Sequence, residues 1–367
     1  MRVLYGVQGT GNGHITRARK MSRALADAGI EVDYLFSGRE PDGYFDMAPF
    51  GDYRTRKGLT FSSGHGEISH IRTLLNANPW QFLKDVRQLD VSQYDLVLND
   101  FEPVSAWAAK RAKKTCIGIS HQNAFRYDIP KVGNTMVNQL LMKYFAPTKT
   151  AIGVHWYHFG HAILPPIVEM LDSDETVENK ILVYLPFESL SDVVDLLRRF
   201  SSHSFHCYHP DATDVDIENV KVRALSRTGF QHDLHDCAGV IANGGFELPS
   251  EAMQMGKKML LKPLAGQFEQ LSNVATLEMM GLATKLEKLD AAEVAKWLPT
   301  DSFGKVRLPD VAQALAQWIK QGQWDDYQGL KEQLWQQVVF PENVLDQLPE
   351  SQLLRSGSLA WDIALRS

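Results

Sequence analysis

Residues 239–281 read GVIANGGFELPSEAMQMGKKMLLKPLAGQFEQLSNVATLEMMG. The apolar run Gly239–Ala242 predicts a strand; Asn243-Gly244-Gly245 follow as a loop, and Pro249 sits where a helix can begin. That helix, Pro249–Met255, is closed by Gly256. Lys258–Lys262 predicts a further strand, and Gln267–Met280 a helix closed by Gly281. Strands alternating with helices in this way argue for a parallel sheet covered by helices. The N–H groups of such a loop, with the positive end of its helix, favour an anionic ligand such as a diphosphate. Ser250 and Glu251 fall in the first helical turn, where a carboxylate just past a phosphate would reach ribose hydroxyls. After Gly266-Gln267-Phe268, Glu269 and Gln270 set a carboxylate beside an amide, which suits several sugar hydroxyls. One such acid is an ordinary helix-terminal charge. Two in order, each after a strand, point to a ligand.

The pattern extends in both directions. Lys180–Leu185, Ser204–Tyr208 and Val220–Ala224 predict strands, and Leu190–Phe200 a helix. Towards the start, Arg2–Val7, Glu31–Phe36, Asp95–Leu98 and Thr115–Ile119 predict strands. Ile15–Ala28, Gln81–Leu89 and Val104–Lys114 predict the helices between them, the first ended by Gly29. The chain therefore divides into two αβ halves. Pro165-Pro166 and the acidic stretch Asp172–Glu178 interrupt the pattern. This places a first domain at 1–165, a second at 166–335 and a helical segment at 336–367; residues 305–367 read as helical and rich in Trp and Gln, able to pack back on the first domain or across both halves, which the sequence leaves open.

The chain has 367 residues, 44% of them apolar and 22% charged, the composition of an ordinary globular protein of about two domains. A net charge of −6 gives no global reason to expect nucleic-acid binding. Cys116, Cys207 and Cys237 are few and far apart, which fits a reducing compartment without a disulfide framework. Arg2 leads straight into Val3-Leu4-Tyr5 and then glycine, so no leader-like apolar run is expected there. No window approaches the roughly 18 apolar residues of a membrane span. A cytoplasmic protein is expected, with peripheral contact at the inner face of a membrane left open.

The first strand ends in Gly9-Thr10-Gly11-Asn12-Gly13-His14. The glycines let the backbone turn sharply and approach a ligand. His14 stands where a dinucleotide-binding fingerprint has its third glycine. It offers a titratable group at a ligand-facing loop, suited to proton transfer near neutral pH, or else simply ends the loop at the helix start. The competing reading is a dinucleotide site, with Ser37-Gly38-Arg39 taking a 2′-phosphate. It leaves Gly244–Glu251 and Glu269-Gln270 unexplained.

At Gly9–Ala18, Asp95–Ile119 and Gly239–Gly281 the chain resembles the GT-B glycosyltransferases. It is most similar to the branch that includes the peptidoglycan N-acetylglucosaminyltransferase MurG and the UDP-glycosyltransferases, and to a microbial group of glycosyltransferases within it. The resemblance implies an α/β fold of two Rossmann-like α/β/α domains facing across a cleft. The acceptor would bind the first domain and the nucleotide sugar the second.

The resemblance implies that the chain transfers a sugar from a nucleoside-diphosphate sugar, a UDP-sugar in the nearest branches, to an acceptor hydroxyl. His14 would be the base, and Asp100, in Tyr94-Asp95-Leu96-Val97-Leu98-Asn99-Asp100, would orient it. Glu102 is a nearby substitute for Asp100. Gly11, Asn12 and Gly13 would line the acceptor side. Ser120-His121-Gln122-Asn123-Ala124 is similar to the His-Glu-Gln-Asn loop of the MurG branch, without its Glu, which brings His121, Gln122 and Asn123 to the cleft. A plain strand-end turn is the alternative there. Asn243, Gly244, Gly245 and Ser250 would hold the diphosphate, Glu251 the ribose, and Gln267, Glu269 and Gln270 the donor sugar. Phe230 would lie near the base and Ser189 near a phosphate.

Two departures stand out. UDP-glycosyltransferases carry Asn and Ser where this chain has Glu247 and Leu248, so Glu247 is expected to point away from phosphates. Leu185-Pro186-Phe187-Glu188-Ser189 lacks the usual Gly-Ser. Because the helix end offsets charge on the leaving diphosphate, no metal or other cofactor is demanded. The nearest branches invert the anomeric centre, and the same is implied here. The acceptor, whether glycan, lipid-linked or small molecule, is not specified by the sequence.

Other signals fit this reading less directly. His155, His158 and His161, His203, His206 and His209, and His232 and His235 have spacings that would suit zinc on a helix, but the first two runs lie in strand-like or irregular stretches. Arg17, Arg19, Lys20 and Arg23 in the first helix, and Lys110–Lys114, read as solvated faces able to attract anionic lipid. Three other functions compete. A nucleotide-sugar 2-epimerase would turn over without an acceptor. An NADP-dependent oxidoreductase would use the first loop and Arg39. A non-catalytic nucleotide-sugar binding protein would keep its ligand in His14→Ala.

Overall fold

A computed structural model describes residues 1–59, 78–169 and 176–348, together with the short antiparallel pair β4 (Ser63–Gly64) and β5 (Glu67–Ile68). The first half holds β1 (Arg2–Gln8), β2 (Glu31–Ser37), β3 (Arg54–Arg56), β6 (Leu96–Asp100), β7 (Cys116–Ser120), β8 (Thr150–Val154) and β9 (Ile163–Leu164). They form one parallel sheet in the order β3-β2-β1-β6-β7-β8-β9. The second half holds β10 (Val177–Tyr184), β11 (Ser204–Tyr208), β12 (Val215–Ile217), β13 (Val220–Arg223), β14 (Cys237–Asn243), β15 (Lys258–Lys262) and β16 (Thr284–Lys285). Their order is β12-β13-β11-β10-β14-β15-β16, with only β12 antiparallel. Central strands such as β1, β6 and β7 are buried almost throughout, as expected of parallel strands covered on both faces.

The helices α1 (Asn12–Asp27), α2 (Pro79–Gln88), α3 (Pro103–Ala112) and α4 (Met136–Tyr144) belong to the first half. The second half supplies α5 (Leu190–Leu197), α6 (Arg227–Asp236), α7 (Glu247–Gln254), α8 (Phe268–Met279) and α9 (Ala291–Trp297). The chain continues into α10 (Val311–Gln321), α11 (Gln328–Trp335) and α12 (Glu342–Leu345). This is the α/β architecture of two sheets with flanking helices expected from the sequence, the bounds of the expected strands and helices moved by a few residues. Strand β8, helices α4, α6 and α9, and the short edge strands β3, β9, β12 and β16 are additions.

The last helices return to the first domain earlier than residue 336. α10 lies along α1. Trp335 Nε1 donates to the Ile163 carbonyl at 2.7 Å, and Tyr327 Oη to Ala162 at 2.9 Å. Lys149 pairs with Asp325 at 2.7 Å. Residues 349–367 of the segment expected to be helical, and Asp172–Thr176 apart from Thr176 itself, lie outside the described residues.

Each sheet reverses its winding between two central strands, β1 and β6 in the first and β10 and β14 in the second. Loops leaving the carboxyl ends of such strands splay apart and leave a crevice, the usual place for a ligand. The two crevices face one another. Between them runs a shared aromatic core. Phe246 from the second domain stacks on His121 at 3.9 Å and meets Trp156 at 4.8 Å. Phe268 contacts Phe125 edge-on at 5.0 Å.

Candidate active site

The first crevice is built by the loop after β1. Gly11 caps α1 in an extended conformation, and a Cβ there would meet nothing within 4 Å, so the backbone is open to a ligand. Gly13 has another reason: a Cβ would lie 3.1 Å from Glu247 Cγ, so the missing side chain lets α7 approach. Arg39 Nη2 bonds the Asn12 side chain at 3.2 Å and the Thr10 carbonyl at 3.4 Å. The arginine considered for a 2′-phosphate thus braces the loop.

His14, in the first turn of α1, meets Asp100 at the end of β6, with Nδ1 to Oδ1 at 2.8 Å. An ionised carboxylate only accepts, so Nδ1 carries the proton and Nε2 is the free base position. Burial works to raise the Asp100 pKa, but the Arg17 guanidinium and His14 outweigh it and hold the group below the ordinary carboxylate range.

The residue after Asp100, Phe101, has φ of 52°, a left-handed backbone that bulky side chains rarely adopt. This turn separates two acids that sit close in sequence. Asp100 faces His14, whereas Glu102 turns inward and accepts from the N–H groups of Val104 (2.7 Å) and Ser105 (2.6 Å) and from Ser37 Oγ (2.5 Å). Glu102 is therefore a helix cap and not a substitute for Asp100.

Of the three residues after β7, only Gln122 reaches the cleft. Its Nε2 bonds Glu269 at 3.1 and 3.2 Å and lies 3.5 Å from His14 Nε2. Both ring nitrogens of His121 are engaged, by the Val154 carbonyl at 3.0 Å and Asn273 Oδ1 at 2.7 Å, and burial lowers its pKa. Asn123 is buried and points to the Ile152 carbonyl. These two residues, expected at the acceptor, instead fix the loop and the domain contact.

The second crevice is built by β14 and α7. Gly244 packs so closely that a Cβ would fall 2.6 Å from Val274, while at Gly245 a Cβ would meet nothing within 4 Å. Asn243 Nδ2 bonds the Lys262 carbonyl at 3.0 Å, and its Oδ1 is buried without a protein partner. Ser250 is fully buried; its hydroxyl donates to the Phe246 carbonyl at 2.7 Å and accepts from Trp156 Nε1 at 2.8 Å. Glu251 binds Lys20 at 3.2 Å and Gln231 at 3.3 Å. Gln267 caps α8, and the buried Gln270 holds the Leu264 N–H at 3.0 Å, leaving Glu269 as the acid directed to Gln122. Phe230 packs edge-on against Tyr184 and Tyr208 at 5.4 and 5.3 Å. Ser189 is exposed and caps α5.

Several cleft residues were not singled out as such by the sequence reading. Arg17 and Lys20 do not form a solvated face: they are 2% and 7% exposed and cross to Glu247 and Glu251 of α7. His14, Arg17 and Lys20 recur every three residues, and Glu247 and Glu251 are four apart, so each set lies on one helix face. Arg19 is likewise buried and holds the Phe45 and Asp46 carbonyls, and only Arg23 is exposed, pairing with Glu169. Glu247 faces the first domain, and burial, only partly countered by Arg17 and Lys20, lifts its pKa to about 7. The Lys110–Lys114 run stays on the surface. Among the described residues no three histidine, cysteine or acidic side chains converge as a metal site. His155 and His158 are buried and driven towards the neutral form, the latter to about 3.

Two Rossmann-like domains facing across a crevice, with a histidine–aspartate pair on one side and a glycine loop on the other, make the architecture of a GT-B glycosyltransferase. The chain belongs to glycosyl transferase family 1, whose family model matches residues 1–300. Acinetobacter baumannii MurG superposes with a TM-score of 0.52 at 14% identity, over 87% of this chain and 99% of that one. Arabidopsis thaliana UGT89C1, solved with UDP, gives 0.53 at 12% identity, over 88% and 94%. SsfS6 from Streptomyces sp. SF2575, solved with thymidine diphosphate, gives 0.55 at 12% identity, over 88% and 99%. At these identities the likeness is one of fold. No curated protein sequence matches the chain. Among the described residues no helix is long and apolar enough to cross a membrane.

Proposed function

We propose that this glycosyltransferase moves a sugar from a nucleoside-diphosphate sugar, a UDP-sugar in the first instance, to an acceptor hydroxyl, with inversion and without a metal. The observation that carries the reading is the His14–Asp100 pair at 2.8 Å. It leaves Nε2 3.5 Å from the Gln122 amide, which in turn bonds Glu269 of the second domain. The acceptor hydroxyl gives its proton to His14 Nε2 as its oxygen attacks the anomeric carbon. The bond to the diphosphate breaks and the diphosphate leaves. Asp100 stabilises the imidazolium, and the N–H groups before α7 meet the charge on the leaving group. Glu269 is the candidate for donor-sugar hydroxyls and Glu251 for ribose. Inversion is carried over from the resemblance to the inverting branches.

The test is thermal stability against UDP, GDP, dTDP, CMP, their sugars and NADP. A ligand at 100 times its Kd adds about 2.7 kcal/mol. One nucleoside diphosphate and its sugar should stabilise the protein, and Glu251→Ala should abolish the effect. Stabilisation by NADP alone would refute the reading. Sugar conversion without an acceptor would replace transfer by epimerisation, and turnover lost to chelators would remove the metal-independent step.

A further inference from the structure

Arg17 has no part in the mechanism above, yet it is the most heavily engaged side chain of the cleft. Its Nε bonds Asp100 Oδ2 at 2.8 Å and its Nη2 bonds Asp100 Oδ1 at 2.8 Å. Nη2 also lies 3.1 Å from His14 Nδ1, and Nη1 crosses to Glu247 of the second domain. A guanidinium is not needed to aim the imidazole, because the bond from Nδ1 to Asp100 already does so. Its effect is on charge. Once His14 accepts a proton, imidazolium and guanidinium share one carboxylate, and the set is left net positive. An ionised Glu247 restores neutrality.

We propose that Arg17 and Glu247 form an interdomain charge bridge that sets the basicity of His14, so that the base reaches working strength only when α7 is docked on α1. The proposal rests on His14 being the base. Arg17 and Glu247 are positioning residues here, acting through Asp100. The local packing is built for the contact: Gly13 has no Cβ to block Glu247, and Glu247 Oε2 is buried without a hydrogen-bond partner. The other charged groups facing the bridge are already committed. Lys20 of α1 pairs with Glu251 of α7, and Glu269 is bound by Gln122 beside the far ring nitrogen. Tyr5 of β1 lies near Asp100 and Arg17, and burial keeps its phenol neutral. His121 is held towards the neutral form by burial.

The test reads the His14 imidazole directly, by carbon-13-labelled histidine NMR titration of the full chain, with His14→Ala to assign the signal. In E247Q the His14 midpoint should fall by up to about one pH unit, the limit when a full unit charge is removed behind a guanidinium; Glu247, lifted to about 7, carries only part of that charge below neutral pH. In R17Q it should rise, because a positive neighbour is gone. His206, bonded to Asp233 on the far domain, should not move in either variant. A purely structural role would move neither midpoint in opposite directions. An unchanged His14 midpoint in E247Q, with the His206 signal native, overturns the proposal, and this variant decides even if R17Q does not fold. The titration needs no turnover, so failure of the mechanism is separable. Shifted midpoints with transfer that survives His14→Ala uphold the bridge and refute the base. A fixed midpoint with transfer abolished by His14→Ala does the reverse.

Discussion

Glu247→Gln should make the protein more stable relative to the wild type as pH rises. Glu247 is 7% exposed, and burial moves its pKa from 4.5 to about 7 against the pull of Arg17 and Lys20. The native state therefore holds this proton more tightly than the unfolded chain does. Below pH 4.5 both states are protonated and the stabilising contribution is fully present. Between 4.5 and about 7 the unfolded chain ionises first, and the contribution is lost as pH rises through the folded value. Each tenfold change in proton affinity is about 1.36 kcal/mol, so the whole window is worth about 3 kcal/mol. Glutamine cannot ionise, so the variant avoids that loss; of the other groups His14 is the one expected to move, and a lowered midpoint shifts the difference in the same direction. Urea unfolding of both from pH 4 to pH 8.5 measures the difference. It should move in favour of the variant by up to about 3 kcal/mol over that range and then level off. A difference that is flat, or that moves in favour of the wild type with rising pH, would refute the reasoning. It would mean that the ion pair to Arg17 outweighs the burial of the carboxylate.

Asp100 and Glu102, two residues apart, should separate cleanly on mutation. Asp100→Asn should lower transfer about 10²–10⁴-fold with nucleotide affinity retained, whereas Glu102→Ala should cost about 1–2 kcal/mol of stability through the lost cap and leave the pH dependence of turnover in place. Denaturant unfolding and pH–rate profiles distinguish them. Trp156→Phe removes the donor to Ser250 Oγ and should cost about 1 kcal/mol in unfolding experiments. If Ser250 is occupied inside the protein as its bonds indicate, nucleotide affinity in the same variant, measured by calorimetry, should be unchanged.

The fold was legible because its signals are local. Apolar runs that end in glycine loops, and helices closed by Gly29, Gly256 and Gly281, are each written within a few residues. The positions of His14, Asp100 and Glu269 were legible for the same reason: each lies at or just beyond the carboxyl end of a strand. What a side chain touches there was less so. The direction of Glu102 depends on the left-handed turn at Phe101, which no residue type announces. The residues Gln122–Arg126 form a 3-10 turn in which the Gln122 amide meets Glu269 while Asn123 turns to the Ile152 carbonyl. The cationic face of α1 looked solvated because its partners lie more than two hundred residues away. Arg17 and Glu247 are 230 positions apart, Lys20 and Glu251 231. Spacing of three on one helix and four on the other is common to solvated and buried faces, and only the packing of α1 on α7 tells them apart.

That packing also explains why a carboxylate stands at the start of α7, a position where burial makes it expensive. Replacing a buried charge with a neutral group of the same shape is often neutral or stabilising. Stability alone therefore would not favour Glu247, and the pH experiment states by how much. The acid is useful for what it meets. It is the residue of α7 that reaches, through Arg17, the carboxylate paired with His14. A neutral Asn or Gln would fit beside Gly13, but it would bring no charge to balance the guanidinium when His14 takes its proton. A carboxylate on the first domain would balance it at all times, whether or not the donor side was in place. On the proposals above, only an acid carried by the second domain ties the strength of the base to the docking of α7 on α1, and proton abstraction would then be favoured when the helix proposed to meet the diphosphate is in place.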